Sequence, residues 1–330
     1  MKHLVYILSA LLILSGCQAE VEKKEQIHLH FSTVEEGQKI ISTSDHFTQS
    51  FHQFDLVSRL TESGLEPAEQ SYLDLGRQSV REWSQQDIET LQASGKRLQA
   101  IIDSCGYQLP IPDTLTLINT SMVEEGNAAG YTRGKNIFLR LKTCINDNGS
   151  YEKEVDYLLA HELFHILSRN SAEFRKAMYQ QIGFTVLDHE IEFPDSLLEM
   201  RISNPDVNSY DSYSEFTING EKKEYTMWFF ADSEYEKGPF FLYGKPGLVP
   251  LDTDHRPIMN EDGSPIIYGI DQAEDFFSRI GKNTGYVINP EEALAENFAF
   301  ALLDYFPYGN PNPEVTARLR EVMKGSWIQK

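Results

Sequence analysis

The feature that most constrains this chain is an apolar run, residues 158–167, that carries two histidines and a glutamate. The run reads Leu-Leu-Ala-His-Glu-Leu-Phe-His-Ile-Leu, so His161 and His165 are four residues apart and Glu162 follows the first. On a helix, residues four apart lie on one face. Two imidazoles so placed can bind one Zn²⁺ at about 2.0–2.1 Å each, and the glutamate can act as a general base. The run therefore predicts a buried, metal-binding helix.

The His-Glu-x-x-His segment resembles the zinc helix of the zincin metallopeptidases. The resemblance implies a zinc hydrolase with His161 and His165 as metal ligands. A third ligand must lie elsewhere, because the longer His-x-x-Gly-x-x-His extension is absent after His165. The alternative interpretation is a core helix with two hydrogen-bonded histidines and a solvated glutamate.

The best candidate for the third ligand lies in residues 289–301, Asn-Pro-Glu-Glu-Ala-Leu-Ala-Glu-Asn-Phe-Ala-Phe-Ala. Asn-Pro suits a helix start, and Glu292 and Glu296 then lie one turn apart on one face. Two carboxylates that face a core repel each other unless a cation lies nearby. We therefore expect Glu292 to bind the metal and Glu296 to accept a hydrogen bond from a ligating imidazole. Glu296 or Glu291 as the ligand, and a solvated acidic helix N-terminus, are the alternatives.

The two segments together resemble the gluzincins, such as thermolysin and neprilysin, in which a Glu-x-x-x-Asp helix supplies a zinc ligand and a residue that orients a histidine. The stretch from Glu292 to Glu296 looks like the neprilysin version, although Glu296 stands where Asp is usual. The resemblance implies an α+β fold with a zincin-like domain. It also implies that a water activated by zinc attacks a peptide carbonyl while Glu162 acts as the catalytic base.

Gluzincins usually add a tyrosine or histidine that stabilises the negative charge on the substrate oxygen. Tyr286, shortly before Glu292, is the first candidate for this catalytic role. Tyr131 and His255 are the other candidates. A structural role for each of these side chains is the alternative interpretation.

Residues 126–139, upstream of the histidines, predict a β-hairpin, because Arg-Gly-Lys-Asn supplies turn chemistry between two strand-like segments. In zincins a strand before the zinc helix forms the edge of the cleft, and the substrate backbone adds to it as a further strand. Ala128, Ala129, Gly130 and Tyr131 are therefore the predicted substrate-binding residues. An ordinary hairpin is the alternative.

Residues 1–16 are predicted to be a lipoprotein signal peptide. After a short basic start, residues 4–14 are apolar but too few to span a bilayer comfortably. They lead into Leu-Ser-Gly-Cys17, which resembles the bacterial lipobox and implies that Cys17 is lipidated and anchors the chain in the cell envelope. With Gln18 next, the resemblance implies the outer membrane in a Gram-negative cell. Residues 17–26 read as a tether, and an ordinary signal peptide is the alternative.

Residues 27–330 are long enough for one catalytic domain with a substantial core. Residues 184–280 carry frequent turn signals, which predicts an inserted β-rich segment between the two site helices. The expected strands of this segment are residues 225–230, 240–243, 248–251 and 265–270. Residues 67–105 have helical periodicity, with breaks expected near Gly76 and Gly95. These elements together favour the α+β class.

The chain has 29 Lys and Arg against 50 Asp and Glu, a net charge of −21. This charge argues against nucleic acid as a partner, because phosphate attraction needs a basic surface. The favoured function is a lipid-anchored zinc metallopeptidase with a peptide or protein substrate. A zincin-like binding module without turnover and a structural envelope lipoprotein are the alternatives.

Cys105 and Cys144 are the cysteines that remain after Cys17. An extracytoplasmic location makes a disulfide between them possible, and two separate buried thiols are the alternative. They lack the Cys-x-x-Cys spacing of zinc sites.

Overall fold

The computed structural model describes residues 27–144, 151–207 and 209–328, and it has a mixed α+β fold with two sheets. The predicted α+β class is confirmed at this level. The helices in these ranges are α1 Val34–Ile41, α2 His46–Gln49, α3 Gln53–Leu60, α4 Glu69–Ser79, α5 Gln85–Cys105, α6 Tyr151–Asn170, α7 Ala172–Gln181, α8 Asp195–Leu198, α9 Phe276–Ile280, α10 Pro290–Leu303 and α11 Pro313–Glu321. The strands are β1 Leu29–Phe31, β2 Leu115–Asn119, β3 Gly130–Arg133, β4 Asn136–Leu139, β5 Thr185–Val186, β6 Ser212–Ile218, β7 Glu221–Ala231, β8 Gly244–Pro250 and β9 Tyr268–Gly269.

The first sheet has the strand order β1-β2-β4-β3. Strands β1, β2 and β4 are parallel, and β3 pairs with β4 as an antiparallel hairpin. The hairpin turn passes through Gly134 at a φ of +58°, which glycine adopts without strain. The predicted hairpin is therefore present, and β3 is an edge strand of its sheet.

The second sheet is antiparallel, with the order β5-β6-β7-β8-β9, and it lies within residues 184–280 as predicted. Within this segment the expected strand at Phe240–Tyr243 is wrong, because these residues form a short 3₁₀ turn. A strand would direct Phe240 and Leu242 to the same face. Instead Phe240 is buried and Leu242 is 82% exposed.

The expected helix breaks at Gly76 and Gly95 are also wrong, since both glycines lie inside continuous helices. Each glycine allows a neighbouring segment to approach closely. A Cβ atom at Gly76 would lie 3.1 Å from the side chain of Ile41, and one at Gly95 would lie 3.1 Å from that of Leu29. The glycines therefore mark packing contacts, and the chain turns between α4 and α5 instead.

Helices α6 and α10, which carry the two motifs, pack against each other in the main core, where the rings of Phe164 and Phe298 lie 5.4 Å apart. Helix α10 starts as predicted, with Pro290 in its first turn and the Asn289 side chain accepting from Glu291 N at 2.9 Å. All residues from Pro290 to Leu302 are buried. A solvated acidic N-terminus is therefore wrong for this helix, and its acids must find partners in the interior.

The predicted signal peptide, Cys17 and the tether lie outside the described residues. In the part of the chain that the structure describes, no helix has both the length and the apolarity needed to cross a membrane. Cys105 is exposed at the end of α5 and forms no disulfide with any cysteine whose side chain is described. The side chain of Cys144 is not among those described, so its pairing with Cys105 stays a prediction.

Candidate metal centre

The structure brings together the three predicted metal ligands. Helix α6 holds the rings of His161 and His165 with their centroids 5.0 Å apart. From α10, Glu292 Oε2 lies 3.2 Å from His161 Nε2 and 3.7 Å from His165 Nε2. One ligand atom from each residue lies within 4.8 Å of the others. Zinc binds nitrogen and oxygen ligands at about 2.0–2.2 Å, so an ion of this size fits among them.

The second nitrogen of each imidazole faces a further carboxylate of α10. His161 Nδ1 lies 3.3 Å from Glu296 Oε1, and His165 Nδ1 lies 3.3 Å from Glu291 Oε1. Such a carboxylate fixes the tautomer and orientation of a ligating histidine and raises its basicity. Glu296 thus lies where the sequence predicted it, and Glu291 has the matching position on the other histidine.

The second carboxylate oxygen of Glu291 is hydrogen-bonded to residues that do not belong to the metal position. Its Oε2 accepts hydrogen bonds from Tyr179 OH at 2.7 Å and Ser168 Oγ at 3.0 Å. Adjacent residues on a helix diverge by about 100°, which turns Glu291 away from Glu292 towards α7. From the sequence, this divergence alone could have shown that only one of the two glutamates can face the histidine Nε2 atoms.

Glu296 is held by two hydroxyls in addition to the histidine. Tyr157 OH donates to its Oε1, and Thr284 Oγ1 donates to its Oε2 at 3.0 Å. The carboxylate is therefore fixed in orientation before any metal binds.

Replacing Glu296 with alanine should weaken zinc binding by roughly 10- to 100-fold, the usual effect of losing an outer partner of a ligand. His161 would lose the group that orients its ring but would keep its own bond to the metal. Competition with a chromogenic chelator measures this change, with Glu321→Ala on the exposed side of α11 as the control. Complete loss of zinc would instead identify Glu296 as a ligand.

Several buried polar atoms at the centre have no hydrogen-bond partner in the described part of the chain: His165 Nε2, Glu292 Oε2 and Glu162 Oε2. Leaving a buried polar atom unpaired costs roughly 1–3 kcal/mol. Two of these atoms belong to the predicted ligand set and lie 3.7 Å apart. A bound metal ion would offset the cost of both, so the residues present fit zinc.

Carboxylates around the two imidazoles raise the pKa of both rings. Burial lowers the pKa of His161, but the carboxylates of Glu292 and Glu296 outweigh it and raise the pKa well above its ordinary value. Burial likewise lowers the pKa of His165, and Asp206 and Glu291 reverse the shift. Protons and a metal ion therefore compete for the same ring nitrogens.

Glu162 lies against the edge strand of the first sheet. A Cβ atom at Gly130 would lie 2.6 Å from Glu162 Oε1, so the β3 backbone passes directly beside this carboxylate. Burial, reinforced by the negative charge of Asp206, raises the pKa of Glu162 to about 8. A buried carboxyl group whose pKa is raised towards that of a reactant is suited to exchanging protons with it.

If the chain is the zinc peptidase that its sequence predicts, Gly130→Ala should reduce peptide hydrolysis by about 100-fold while leaving bound zinc unchanged. The added methyl group would displace the Glu162 carboxylate, and a shift of about 1 Å in a catalytic group can have an effect of this size. The measurements are kcat on a peptide substrate and zinc content. Gly285→Ala is the matched control, since a Cβ atom there meets nothing within 4 Å. Full activity in Gly130→Ala would contradict the close approach of β3 to Glu162.

Two residues that the sequence analysis missed lie in the segment after α8. The Asn204 side chain donates to Glu292 Oε1, which fixes the carboxylate that faces the histidines. Asp206 Oδ1 lies 4.0 Å from His165 Nε2 and accepts from Thr132 N at 2.7 Å. In the sequence Asn-Pro-Asp reads only as a turn signal, because no spacing rule links it to either motif helix.

A cavity of about 350 Å³ opens beside the centre. Its wall includes Ala128, Gly130 and Tyr131 of the predicted substrate-binding set, together with Asp206. Ala129 is not in this wall. Its carbonyl oxygen faces the end of β4, where it accepts a hydrogen bond from Arg140 N at 2.9 Å. The ring of Tyr131 is buried on the far side, where it stacks on Phe138 and donates to Glu124.

Of the three oxyanion candidates, Tyr131 and Tyr286 both lie in the wall of the cavity, and only for Tyr286 does the hydroxyl remain a candidate. The Tyr286 residue as a whole is 38% exposed. Burial of the hydroxyl, with the negative charges of Glu292 and Asp206, raises its pKa well above the ordinary value, so it remains a hydrogen-bond donor. The buried Tyr131 hydroxyl and His255, which contacts Glu224 in the second sheet, are both wrong for this role.

Two imidazoles and a carboxylate around one position, with a second unpaired carboxylate beside them, form the donor set of catalytic zinc sites. No protein-family model, curated protein or solved structure matches this chain. The chemistry of the centre is therefore interpreted from the residues themselves.

Proposed function

We propose that this chain is a lipid-anchored, zinc-dependent metallopeptidase of the gluzincin type, which hydrolyses peptide bonds at the bacterial cell envelope. The proposal depends above all on the convergence of His161, His165 and Glu292 on one position, with the unpaired carboxylate of Glu162 beside it. Three protein ligands leave a coordination position open, which is typical of catalytic zinc and not of structural zinc.

Each residue of the centre has a distinct task in this reaction. His161, His165 and Glu292 would hold the ion, which supplies Lewis-acid chemistry by polarising a carbonyl and lowering the pKa of a water molecule. Glu162 accepts the proton of the attacking water and later donates a proton to the leaving amine. Tyr286 would donate a hydrogen bond to the carbonyl oxygen as negative charge develops there.

The surroundings of the centre suit a peptide. Strand β3 is an edge strand, and Gly130 places its backbone next to Glu162 without an intervening side chain. An extended peptide can add to such an edge through main-chain hydrogen bonds. Phe229, Phe241 and Ile288 give the adjoining cavity an apolar wall that suits a substrate side chain.

Two measurements on the purified protein test the proposal: zinc content by elemental analysis, and hydrolysis of a peptide library with and without chelator. We expect about one zinc ion per chain, as a three-ligand centre requires, and hydrolysis that a chelator abolishes and added zinc restores. A protein that binds no zinc would be a structural lipoprotein with a coincidental motif. A protein that binds zinc without hydrolysing any peptide would be a binding module.

Cys17→Ser should release the protein from the membrane fraction. Several acyl chains on the cysteine give stable attachment, and among the described residues no helix is long and apolar enough to replace them. Immunoblots of soluble and membrane fractions measure the change. Cys105→Ser is the matched control, because Cys105 lies at the exposed end of α5. Unchanged membrane attachment of Cys17→Ser would overturn the proposed anchor.

A further inference from the structure

The free edge of β3 offers a substrate only a short stretch of backbone. Arg140 N donates to Ala129 O, so these two residues form a hydrogen-bonded pair of the hairpin. Such pairs alternate along an antiparallel ladder, which directs the backbone groups of Gly130 and Thr132 towards the free edge. The N–H of Thr132 already donates to Asp206 Oδ1 at 2.7 Å. An added strand can therefore bond to Gly130 but finds the next outward N–H occupied.

The direction of the added strand follows from the same geometry. Gly130 lies against Glu162, so the bond to be hydrolysed must lie close to Gly130. A peptide antiparallel to β3 runs from the Thr132 end towards Gly130, which places the residues before that bond near Asp206. Outward-facing positions in a strand are about 6.6–6.8 Å apart, so only one or two residues fit before Asp206 ends the available edge.

The Asp206 carboxylate lies at this end of the edge, with His165 Nε2 4.0 Å from its Oδ1. Its side chain is 9% exposed, and both Thr132 hydrogen bonds use Oδ1. Among the described residues, no lysine or arginine pairs with its carboxylate, and His165 at 4.0 Å is its one ion-pair partner. Arg169 donates instead to the backbone oxygens of Pro205 and Asp206. Among the described residues no donor bonds to Asp206 Oδ2, so this oxygen can accept a charge-assisted hydrogen bond from an ammonium group in the cavity that Asp206 lines.

We infer that Asp206 binds the free α-amino group of the substrate and that the enzyme removes residues from the amino terminus of peptides. This inference rests on the proposed function and adds its substrate class. An antiparallel peptide brings its ammonium group to Asp206, whereas a parallel peptide would bring a terminal carboxylate that Asp206 repels. Because Asp206 occupies the Thr132 N–H, the free edge of β3 has no room for a substrate with more residues before the hydrolysed bond.

The test compares a peptide that has a free amino terminus with the same peptide after acetylation. Binding is measured by calorimetry with the zinc-loaded Glu162→Gln protein, in which hydrolysis is suppressed. We expect the free peptide to bind roughly 10- to 100-fold more tightly, the range for a hydrogen bond between charged groups. Adding Asp206→Asn should abolish this difference. Asp188→Asn, at an exposed aspartate that pairs with Lys176, should preserve it.

Asparagine keeps the Oδ1 acceptor for Thr132, so Asp206→Asn removes the charge and retains the local hydrogen bonds. Hydrolysis by the unmodified enzyme gives a second readout, in which the free peptide should lose amino-terminal residues and the acetylated peptide should remain intact. Internal cleavage of the acetylated peptide at a comparable rate would overturn the inference and leave the proposed function standing.

Zinc content separates the remaining outcomes. If Asp206→Asn loses its zinc, Asp206 belongs to the metal ligands and the inference is overturned. If the zinc-loaded enzyme hydrolyses neither peptide nor any library peptide, the proposed function itself is overturned. Retained zinc with loss of the preference for a free amino terminus is the result that supports the inference.

Discussion

Glu162→Gln is expected to keep its zinc and to lose turnover by roughly 10²- to 10⁴-fold, the usual contribution of a general acid–base group. Glutamine has the same shape as glutamate but cannot accept the proton of an attacking water. Glu162 is adjacent to the ligand position, and its Oε2 has no hydrogen-bond partner among the described residues, so no structural contact at that atom is lost. Zinc content by elemental analysis and peptide hydrolysis measure the two effects.

The control for this variant is Glu152→Gln, an exposed glutamate in the first turn of the same helix, α6. It should retain both zinc and activity. A Glu162→Gln protein that loses its zinc would identify Glu162 as a ligand. One that remains fully active would show that the proton transfers take place elsewhere.

Glu292→Gln should weaken zinc binding by more than the roughly 10- to 100-fold typical of an outer partner. The substitution removes the anionic ligand whose Oε2 faces the Nε2 atoms of both imidazoles, at 3.2 Å and 3.7 Å. A neutral amide oxygen cannot balance the ion's charge in a buried site, where an uncompensated charge is costly. A competition titration with a chelator of known affinity measures the change, and activity should fall in parallel with zinc occupancy.

Comparison of Glu292→Gln with Glu296→Ala tests the assignment of the two acids. They lie one turn apart on α10, and both contact His161, Glu292 at Nε2 and Glu296 at Nδ1. We expect the first variant to lose its zinc and the second to bind it more weakly. The reverse result would exchange their roles.

The motif residues could be predicted because their spacing is a property of a single helix. His161 and His165 share a face whenever residues 158–167 are helical, and Asn289 with Pro290 starts α10 by local capping. The turn at Gly134 similarly predicted the hairpin of β3 and β4. In each case the residues that interact are only a few positions apart along the chain.

The tasks of Glu291 and Asp206 could not be predicted in this way, because their partners are remote in sequence. Glu291 contacts His165 across 126 residues, and Asp206 contacts Thr132 across 74. From the sequence alone, Glu291 is an alternative metal ligand and Asp206 is part of a predicted turn. Only the packing of α10 against α6 and α7, and of the segment after α8 against β3, gives these carboxylates their neighbours. Local spacing therefore identifies the groups that can bind a metal, while long-range packing determines which acid faces which histidine and where the cleft ends.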